Sequence, residues 1–270
     1  AGVIVITTKK GKAGVSRINY TGEFTTRMKP SYNNYNIMNS KDQMDVYREM
    51  AAKGWLNFSG DNTNGLYNAP NSGVYGKMWQ LINTYDPTTG QFALANTTEA
   101  RNGYLQMAEQ RNTDWFDELF SNSIMQNHSI SVSSGSDKAT YYASLSVMND
   151  LGWYLKSGVQ RYTANLNTSY KLGKKVTLNL LSNAAYRKQN APGTSSQAVN
   201  LVDGEISRDF DINPYSYALN SSRTLDPKET YRRNYADFNI FKELDNNFIE
   251  LNTVDLKFQT ELKWAPVKEL

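Results

Sequence analysis

The chain has 270 residues, a formal net charge of +3, a single histidine and no cysteine. These counts exclude disulfide bonds, thiolate metal sites and metal sites with several histidines, and the small net charge gives no support for nucleic-acid binding. The mean hydropathy is −0.62 and no long apolar run occurs, which excludes a membrane-spanning helix. A transmembrane β-barrel remains possible, because its strands alternate polar and apolar residues.

The chain opens on a short apolar run, Val3 to Ile6, that reads as a strand. A basic stretch from Lys9 to Lys12 follows, which we interpret as a solvated connector. No initiator methionine and no signal peptide precede the run. A chain that begins within a strand-like segment is expected to be a piece of a longer protein.

Six segments alternate apolar and polar residues with the period of two that is typical of β-strands. In the last of them, Leu256, Phe258 and Leu262 face away from Lys257 and Glu261. The predicted strands lie near residues 16–27, 124–134, 139–148, 161–171, 176–187 and 253–264. Ten residues at about 3.3 Å each and a tilt of about 40° rise roughly 25 Å, which matches the lipid-facing band of a membrane barrel.

The connections between these strands are of two kinds. Tight turns at Gly135 to Lys138 and Leu172 to Lys175 mark one end, whereas large loops, 28–123 and 188–252, mark the other. Long loops at one end and short turns at the other are typical of outer-membrane barrels. We therefore predict an all-β fold, a partial transmembrane antiparallel β-barrel of about six strands with helices in long extracellular loops. Six strands cannot close such a barrel, so further strands are expected after Leu270.

The large loops carry helix signals of their own. Ser40 to Gln43 reads as a capping box that starts a helix, and Gly54 ends it. A second helix is predicted from Thr98 to Gln110 and a third, short one from Asp114 to Phe120.

Four segments carry a further signal: Gly2 to Lys12, Tyr35 to Met50, Asn112 to Phe120 and Met125 to Asp150. They resemble the SusC/RagA family of TonB-dependent outer-membrane transporters. The first resembles the end of the family's plug domain, and the second resembles its first long extracellular loop. Asn112 to Phe120 and Met125 to Asp150 resemble its early barrel strands. The resemblance implies that residues 1–14 end a plug and that residues 15–270 begin a plugged barrel of about 22 strands.

The same resemblance implies a function and a set of partners. Members of the family import oligosaccharides, or in some cases peptides, across the bacterial outer membrane; they are not enzymes and need no cofactor. Import is driven by TonB, and a SusD-like surface lipoprotein covers the barrel as a lid. We accordingly expect an outer-membrane protein that contacts lipid, a SusD-like lipoprotein, TonB and an oligosaccharide or peptide substrate.

Aromatic residues are dense in the long loops, where their planar faces suit the apolar faces of sugar rings. The predicted ligand contacts are Trp55, Trp79, Tyr85, Trp153, Tyr154 and Tyr215. Such aromatics also build the small cores of large loops, or contact a lid, and these readings stay open. Aromatic residues on the strands are interpreted instead as girdles at the lipid–water boundaries: Tyr20, Phe24, Tyr162, Tyr170, Tyr186 and Trp264.

Other candidate sites are weaker. Acidic residues cluster at 203–211 and 114–118, but paired carboxylates act on glycosidic bonds only at defined separations that a sequence does not give. The stretch from Asp209 resembles a calcium loop, yet Pro214 replaces the required glycine. His128 is interpreted as a barrel-wall residue. Two rivals remain: a soluble all-β carbohydrate-binding module or glycosidase, and a passive porin or adhesin.

Overall fold

The computed structural model describes residues 11, 13–56, 73–193, 197–199, 206–208, 213–233 and 236–266. Six long antiparallel strands form one sheet, in which each strand pairs with its neighbours along this series. Their bounds are β1 Gly14–Arg27, β2 Ser123–Gly135, β3 Ala139–Asp150, β4 Gly158–Leu172, β5 Val176–Pro192 and β6 Phe248–Trp264. All six predicted strands are present, and β4, β5 and β6 extend well beyond their predicted ends at the long-loop end. Within the described residues the sheet is open, with β1 and β6 as its edges.

One face of the sheet is apolar across all six strands. The register aligns rows of side chains on this face, and one such row is Ile18, Val132, Ala143, Leu166, Ser182 and Phe258. Many of these side chains are exposed, with Leu256 at 75% and Leu145 at 60%, whereas Val132 and Ala143 are half-buried. His128 lies on this face, where its Nδ1 is 2.6 Å from the Tyr20 hydroxyl and Phe24 contacts its ring edge-on. An apolar sheet face of this extent requires an apolar neighbour.

The opposite face is polar, and its side chains bond across the strands. One row consists of Asn19, Ser131, Ser144, Asn165, Asn183 and Lys257. The Asn165 amide donates to Ser144 at 3.1 Å and accepts from the Asn183 amide. These cross-strand bonds stabilise neighbouring strand pairs and fix the register, because a slip of one residue would exchange the two faces.

The long connections form a helical cap at one end of the sheet. We use the name cap for the described parts of residues 28–122, 151–157 and 193–247. Its helices are α1 Ser40–Ala52, α2 Gly73–Asn83, α3 Thr98–Arg111, α4 Trp115–Leu119, α5 Pro214–Asn220 and α6 Ile240–Asn246. The predicted helices correspond to α1, α3 and α4, whereas α2, α5 and α6 were not expected. No helix among the described residues is long and apolar enough to cross a membrane.

The predicted capping box of α1 is wrong in detail. Asn39 is the N-cap, and its side-chain oxygen accepts from the Asp42 N–H at 2.9 Å. Ser40 is buried and donates to the Ala108 carbonyl at 2.7 Å. Gln43 accepts from the Arg223 N–H at 2.9 Å. Both residues of the predicted box are therefore used for contacts between distant parts of the cap.

The hydrophobic core of the chain lies in the cap and not under the sheet. Every fully buried apolar side chain of the described residues belongs to 28–122 or 213–247, and Met44, Val74, Phe116 and Ile240 are at most 2% exposed. The sheet and the cap thus differ in where their apolar side chains lie. The cap buries its apolar side chains internally, whereas the sheet presents its own outward.

A close backbone contact connects the start of the chain to the sheet. Gly11 lies against Tyr141 of β3, and a Cβ at Gly11 would be 2.5 Å from the Tyr141 backbone nitrogen. Only glycine allows this approach. Val3 to Ile6, predicted as a strand, lie outside the described residues.

Candidate functional site

Helix α4 lies in the core of the cap. Its first turn is capped by a side chain, and its apolar residues are buried. The Asp114 carboxylate accepts from the Phe116 and Asp117 N–H groups at 3.0 and 3.1 Å. Trp115 and Phe116 are 1% and 0% exposed. The Trp115 indole donates to the Ser222 carbonyl at 3.0 Å, which satisfies its polar end in the core.

An aromatic cluster surrounds α4 and joins three loops. Its members are Tyr35, Phe116, Phe120, Trp153, Tyr154 and Tyr215. Trp153 stacks on Tyr215 with ring centroids 6.1 Å apart, and meets Phe120 edge-on at 5.2 Å. The Tyr35 and Tyr215 hydroxyls form a hydrogen bond. Three of the six predicted ligand contacts are therefore brought together here.

Backbone bonds attach residues 151–157 firmly to this cluster. The Ser121 N–H donates to the Trp153 carbonyl at 3.1 Å, and the Leu155 N–H donates to the Leu119 carbonyl at 2.9 Å. The Trp153 indole donates to the Met28 carbonyl at 2.9 Å. Trp153 is thus both packed and hydrogen-bonded, so its ring is held in one orientation.

A buried polar network fixes residues 221–225 between α1 and α4. The Ser222 hydroxyl is bonded to Gln43, Tyr47 and Thr224 at 2.9, 3.1 and 2.7 Å. The guanidinium of Arg223 lies over the Tyr32 ring at 4.3 Å and donates to a backbone carbonyl. A network with its partners satisfied specifies one arrangement of the two large loops.

Ion pairs add further connections between the loops. Lys77 pairs with Glu229 at 3.0 Å, between residues 28–122 and 193–247. Lys156 pairs with Asp245 at 2.8 Å, between residues 151–157 and 193–247. Such exposed or half-exposed pairs contribute little stability, about 0–1 kcal/mol each, but they orient the loops.

Burial in the cap changes the acidity of several tyrosines. It raises the pKa of Tyr231 to about 12 and raises the pKa of Tyr32 and of Tyr104 even further. Burial disfavours the charged phenolate, so these hydroxyls stay protonated at physiological pH. The Tyr231 hydroxyl accepts from the Asp226 N–H at 2.8 Å.

The remaining predicted contacts lie apart from the aromatic cluster. Trp55 is 56% exposed, and the Lys53 ammonium lies 4.7 Å from its ring centroid. Tyr85 is also 56% exposed and packs edge-on against Phe92, which is 55% exposed. Trp79 is partly buried against the core, with the Arg101 guanidinium 5.8 Å from its ring. The accessible rings of the predicted set are therefore Trp55 and Tyr85.

Phe92 was missed because its hairpin has short strands and a polar turn. Residues Tyr85–Asp86 pair with Gln91–Phe92. The Asp86 carboxylate accepts from the Thr88 N–H at 2.8 Å, which closes the turn and holds the pKa of Asp86 below its ordinary value. The turn sequence from Asp86 to Gly90, with Gly90 at φ +69°, is the signal that predicts this hairpin.

A pair of arginines on the polar face of the sheet was also missed. Arg161 of β4 lies directly opposite Arg187 of β5. Their row continues with Met148 of β3 and Thr253 of β6. Two arginines on different strands give no signal in the sequence, because only the register brings them together.

The other candidate sites receive no support as catalytic centres. Asp114 caps α4, and Asp117 pairs with Lys29 at 2.6 Å, so both have structural partners. Asp203, Glu205, Asp209 and Asp211 lie outside the described residues. Within the ranges that are described, no group of three or more His, Cys, Asp or Glu side chains is placed to hold a metal ion.

Comparisons with known proteins find a distant sequence relative and solved structures of similar fold. No family model matches the chain. TonB-dependent receptor P26 of Formosa agariphila is 27% identical over 135 residues, which cover 46% of this chain and 14% of the receptor. A chain in the structure of the RagAB peptide transporter aligns with a TM-score of 0.63 at 15% identity, over 97% of this chain and 27% of that chain. In the open-open state of the RagAB peptide importer the TM-score is 0.60 at 13% identity, with the same coverage.

The structural similarity extends over nearly the whole chain and establishes a common fold. The matched curated relative is named as a TonB-dependent receptor. The predicted resemblance to a SusC/RagA-like TonB-dependent transporter is therefore confirmed. The chain spans about a quarter of the length of these structural neighbours, and its match spans about a seventh of the curated relative.

Proposed function

We propose that the chain forms part of a TonB-dependent transporter that imports nutrients across the bacterial outer membrane. In this proposal, β1 to β6 are wall strands of a larger barrel and residues 1–14 end its plug. The observation that carries the proposal is the contrast between the two faces of one sheet, the first apolar and exposed, the second polar and bonded across its strands. A barrel wall between lipid and a polar interior has these two faces.

Lipid is the proposed neighbour of the apolar face. On β6 the apolar run extends from Trp264 to Val254 and ends at Asn252. On β5 the paired run extends from Val176 to Tyr186. Ten residues at about 3.3 Å each and a tilt of about 40° rise roughly 25 Å, which is the height of a lipid-facing band. The aromatic residues at the ends of these runs would then lie at the lipid boundaries.

A soluble carbohydrate-binding module accounts less well for these observations. Such a module would bury the apolar faces of its strands in a closed core. The core of this chain lies in the cap, and side chains such as Phe258 of β6 are 73% exposed.

We propose an oligosaccharide as the first substrate class. Two exposed aromatic rings of the cap, Trp55 and Tyr85, suit the apolar faces of sugars, and the amides and hydroxyls of the polar face suit sugar hydroxyls. A peptide is the second candidate, because the RagAB structures with the same fold are described as those of a peptide transporter. Neither class requires covalent chemistry, and we propose that the chain catalyses none.

Two protein partners belong to the proposal. A SusD-like surface lipoprotein would cover the cap, which under this orientation faces the cell exterior. TonB would drive import across the outer membrane. The aromatic cluster and the ion pairs give the cap a defined surface, as a lid contact requires.

Uptake in the native bacterium tests the proposal. Wild-type cells, a strain lacking the gene and a strain lacking TonB are given a labelled oligosaccharide mixture and a labelled peptide mixture. We expect uptake of one mixture to be lost in both mutant strains. Uptake of both mixtures that is unchanged by either deletion would contradict the proposed function.

Single variants then test the predicted contacts. Trp55→Ala and Tyr85→Ala are each expected to lower affinity for the imported mixture about 2- to 10-fold, the range of one aromatic contact. Met107→Ala is the matched control, because this cap residue is 57% exposed and not aromatic. An equal loss in Met107→Ala would show that the effect is not specific to aromatic rings.

A further inference from the structure

Arg161 and Arg187 form a like-charged pair on the polar face of the sheet. They are directly opposite each other in the register of β4 and β5, which places their Cα atoms about 4.5–5.5 Å apart. Both side chains are exposed. Like charges directly opposite each other destabilise a strand pair, so the arrangement has an energetic cost.

Neighbouring side chains do not neutralise this pair. Among the residues that the structure describes, neither guanidinium forms a hydrogen bond or an ion pair. The flanking residues of the row, Met148 and Thr253, are uncharged. Asp255, two residues beyond Thr253 on the same face, is the nearest carboxylate along β6 in the register, and it forms no ion pair with Arg187.

Two carboxylates on the same face, Asp150 and Glu23, have partners of their own. Asp150 accepts two bonds from the Arg27 guanidinium, at 2.8 and 3.2 Å, and a third from the Gly152 N–H at 3.0 Å. Glu23 accepts from the Asn127 amide at 2.9 Å. Asp150 lies opposite Val159, two residues from Arg161, but it is already paired with Arg27. Within the part of the chain that the structure describes, neither Asp150 nor Glu23 is therefore available to the two arginines.

We propose that Arg161 and Arg187 bind a carboxylate group of the imported substrate. The inference deepens the proposed import function and rests on it. Guanidinium groups present rigid, paired N–H donors that match both oxygens of a carboxylate, and two of them can hold one carboxylate from both sides. Thr163 is two residues from Arg161, and Gln189 is two residues from Arg187. Both lie on the same face and add neutral hydrogen-bonding groups.

The position of the pair suits a substrate that enters from the cap. Arg161 is three residues from Gly158, where β4 begins below the loop that carries Trp153. Two substrate classes carry the required group: peptides, with their terminal and side-chain carboxylates, and acidic oligosaccharides, with uronate sugars. A neutral oligosaccharide would leave the pair without a counterion.

Retention of defined mixtures by the full-length protein tests this site. The protein is purified in detergent and immobilised. Four probes are applied: a casein digest, the same digest after methyl esterification, an oligogalacturonate mixture, and that mixture after methyl esterification. Mass spectrometry measures the amount retained. We expect at least a tenfold preference of the wild-type protein for one acid mixture over its ester, as charge-assisted bonds from two arginines provide.

The variants separate a specific site from a general effect of positive charge. Arg161→Gln with Arg187→Gln is expected to reduce the acid-to-ester ratio to about one, whereas the corresponding double lysine variant keeps part of it. Lys257→Gln removes a positive charge from the same face, about 13 Å along β6 from Thr253, the residue opposite Arg187. This variant is expected to keep the acid-to-ester ratio within about twofold of the wild type. Circular dichroism and thermal melting confirm that each variant is folded.

The outcomes are distinct. Retention of the acid digest identifies a peptide source, and retention of the oligogalacturonate identifies an acidic oligosaccharide. Equal retention of acid and ester, retention of neither, a preference that survives in the double glutamine variant, or an equal loss in Lys257→Gln would overturn the carboxylate site. Uptake that still requires TonB would leave the import function intact in each of these cases.

Discussion

Two adjacent residues of β6 provide a direct test of the membrane orientation. Phe258 lies on the apolar face and is 73% exposed, whereas Gln259 lies on the polar face and is also exposed. Phe258→Arg and Gln259→Arg introduce the same charge on the same strand, one residue apart. They differ in the face that receives the charge and in the side chain that is removed.

The expected magnitude follows from the position of Phe258 in the apolar run. The run extends from Val254 to Trp264, and Phe258 is four residues from one end and six from the other. At about 3.3 Å per residue and a tilt of about 40°, this is about 10 Å from one boundary and about 15 Å from the other, close to the midplane. Arginine on the lipid face at the midplane costs about 2–4 kcal/mol. On the polar face, away from specific partners, the cost is expected to stay within about 0.5 kcal/mol.

The assay is equilibrium unfolding of the full-length protein in lipid vesicles, followed by tryptophan fluorescence and circular dichroism. We expect the Phe258→Arg variant to lose about 2–4 kcal/mol of unfolding free energy and the Gln259→Arg variant to remain near wild type. Phe258→Gln separates the loss of the aromatic ring from the effect of the charge. Equal unfolding free energies for the two arginine variants would refute the assignment of lipid to the apolar face.

Two further predictions concern the cap. Phe116→Ala removes a ring that is 0% exposed and should lower the stability of the cap by about 3–5 kcal/mol. In this variant, limited proteolysis should cut residues 28–122 first. The control Phe92→Ala changes an exposed ring and should leave the cleavage pattern as in the wild type. The second concerns Tyr231, whose pKa burial raises to about 12, above the value of about 10 in an unfolded chain. The stability that comes from keeping Tyr231 protonated is fully present below about pH 10 and is lost as the pH rises through 12. The Tyr231→Phe variant should therefore lose less stability than the wild type between these two pH values. Thermal melting followed by circular dichroism measures the difference. An identical pH dependence in this variant and the wild type would contradict the prediction.

The strands were predictable because each carries its own signal. Alternation with a period of two in Thr253 to Trp264 depends on the sheet having two different faces, and the register observed for β6 preserves it over the whole segment. The strand ends at the cap were less predictable, since Phe248 to Asn252 continue the ladder in a region where the sequence alternates less clearly.

The helices were predictable in part. The α3 segment has helix-forming residues and few breakers, and its predicted and observed bounds differ by one residue at its end. The α5 helix carries an N-cap asparagine, Asn213, followed by Pro214 at the first turn, and that signal could have found it. In α2, by contrast, the glycines at positions 73 and 76 disfavour a helix, and packing against the rest of the cap overrides them.

The sequence by itself determined the two-faced strands, their sorting into tight turns and large loops, and the aromatic character of those loops. These features are local, because each depends on residues that are near one another in the chain. The tertiary structure decided which rings are shared with a core and which stay accessible: Trp153 and Tyr215 are held in the aromatic cluster, whereas Trp55 and Tyr85 stay exposed. It also decided that Arg161 meets Arg187, because strand register brings together residues whose separation along the chain carries no signal.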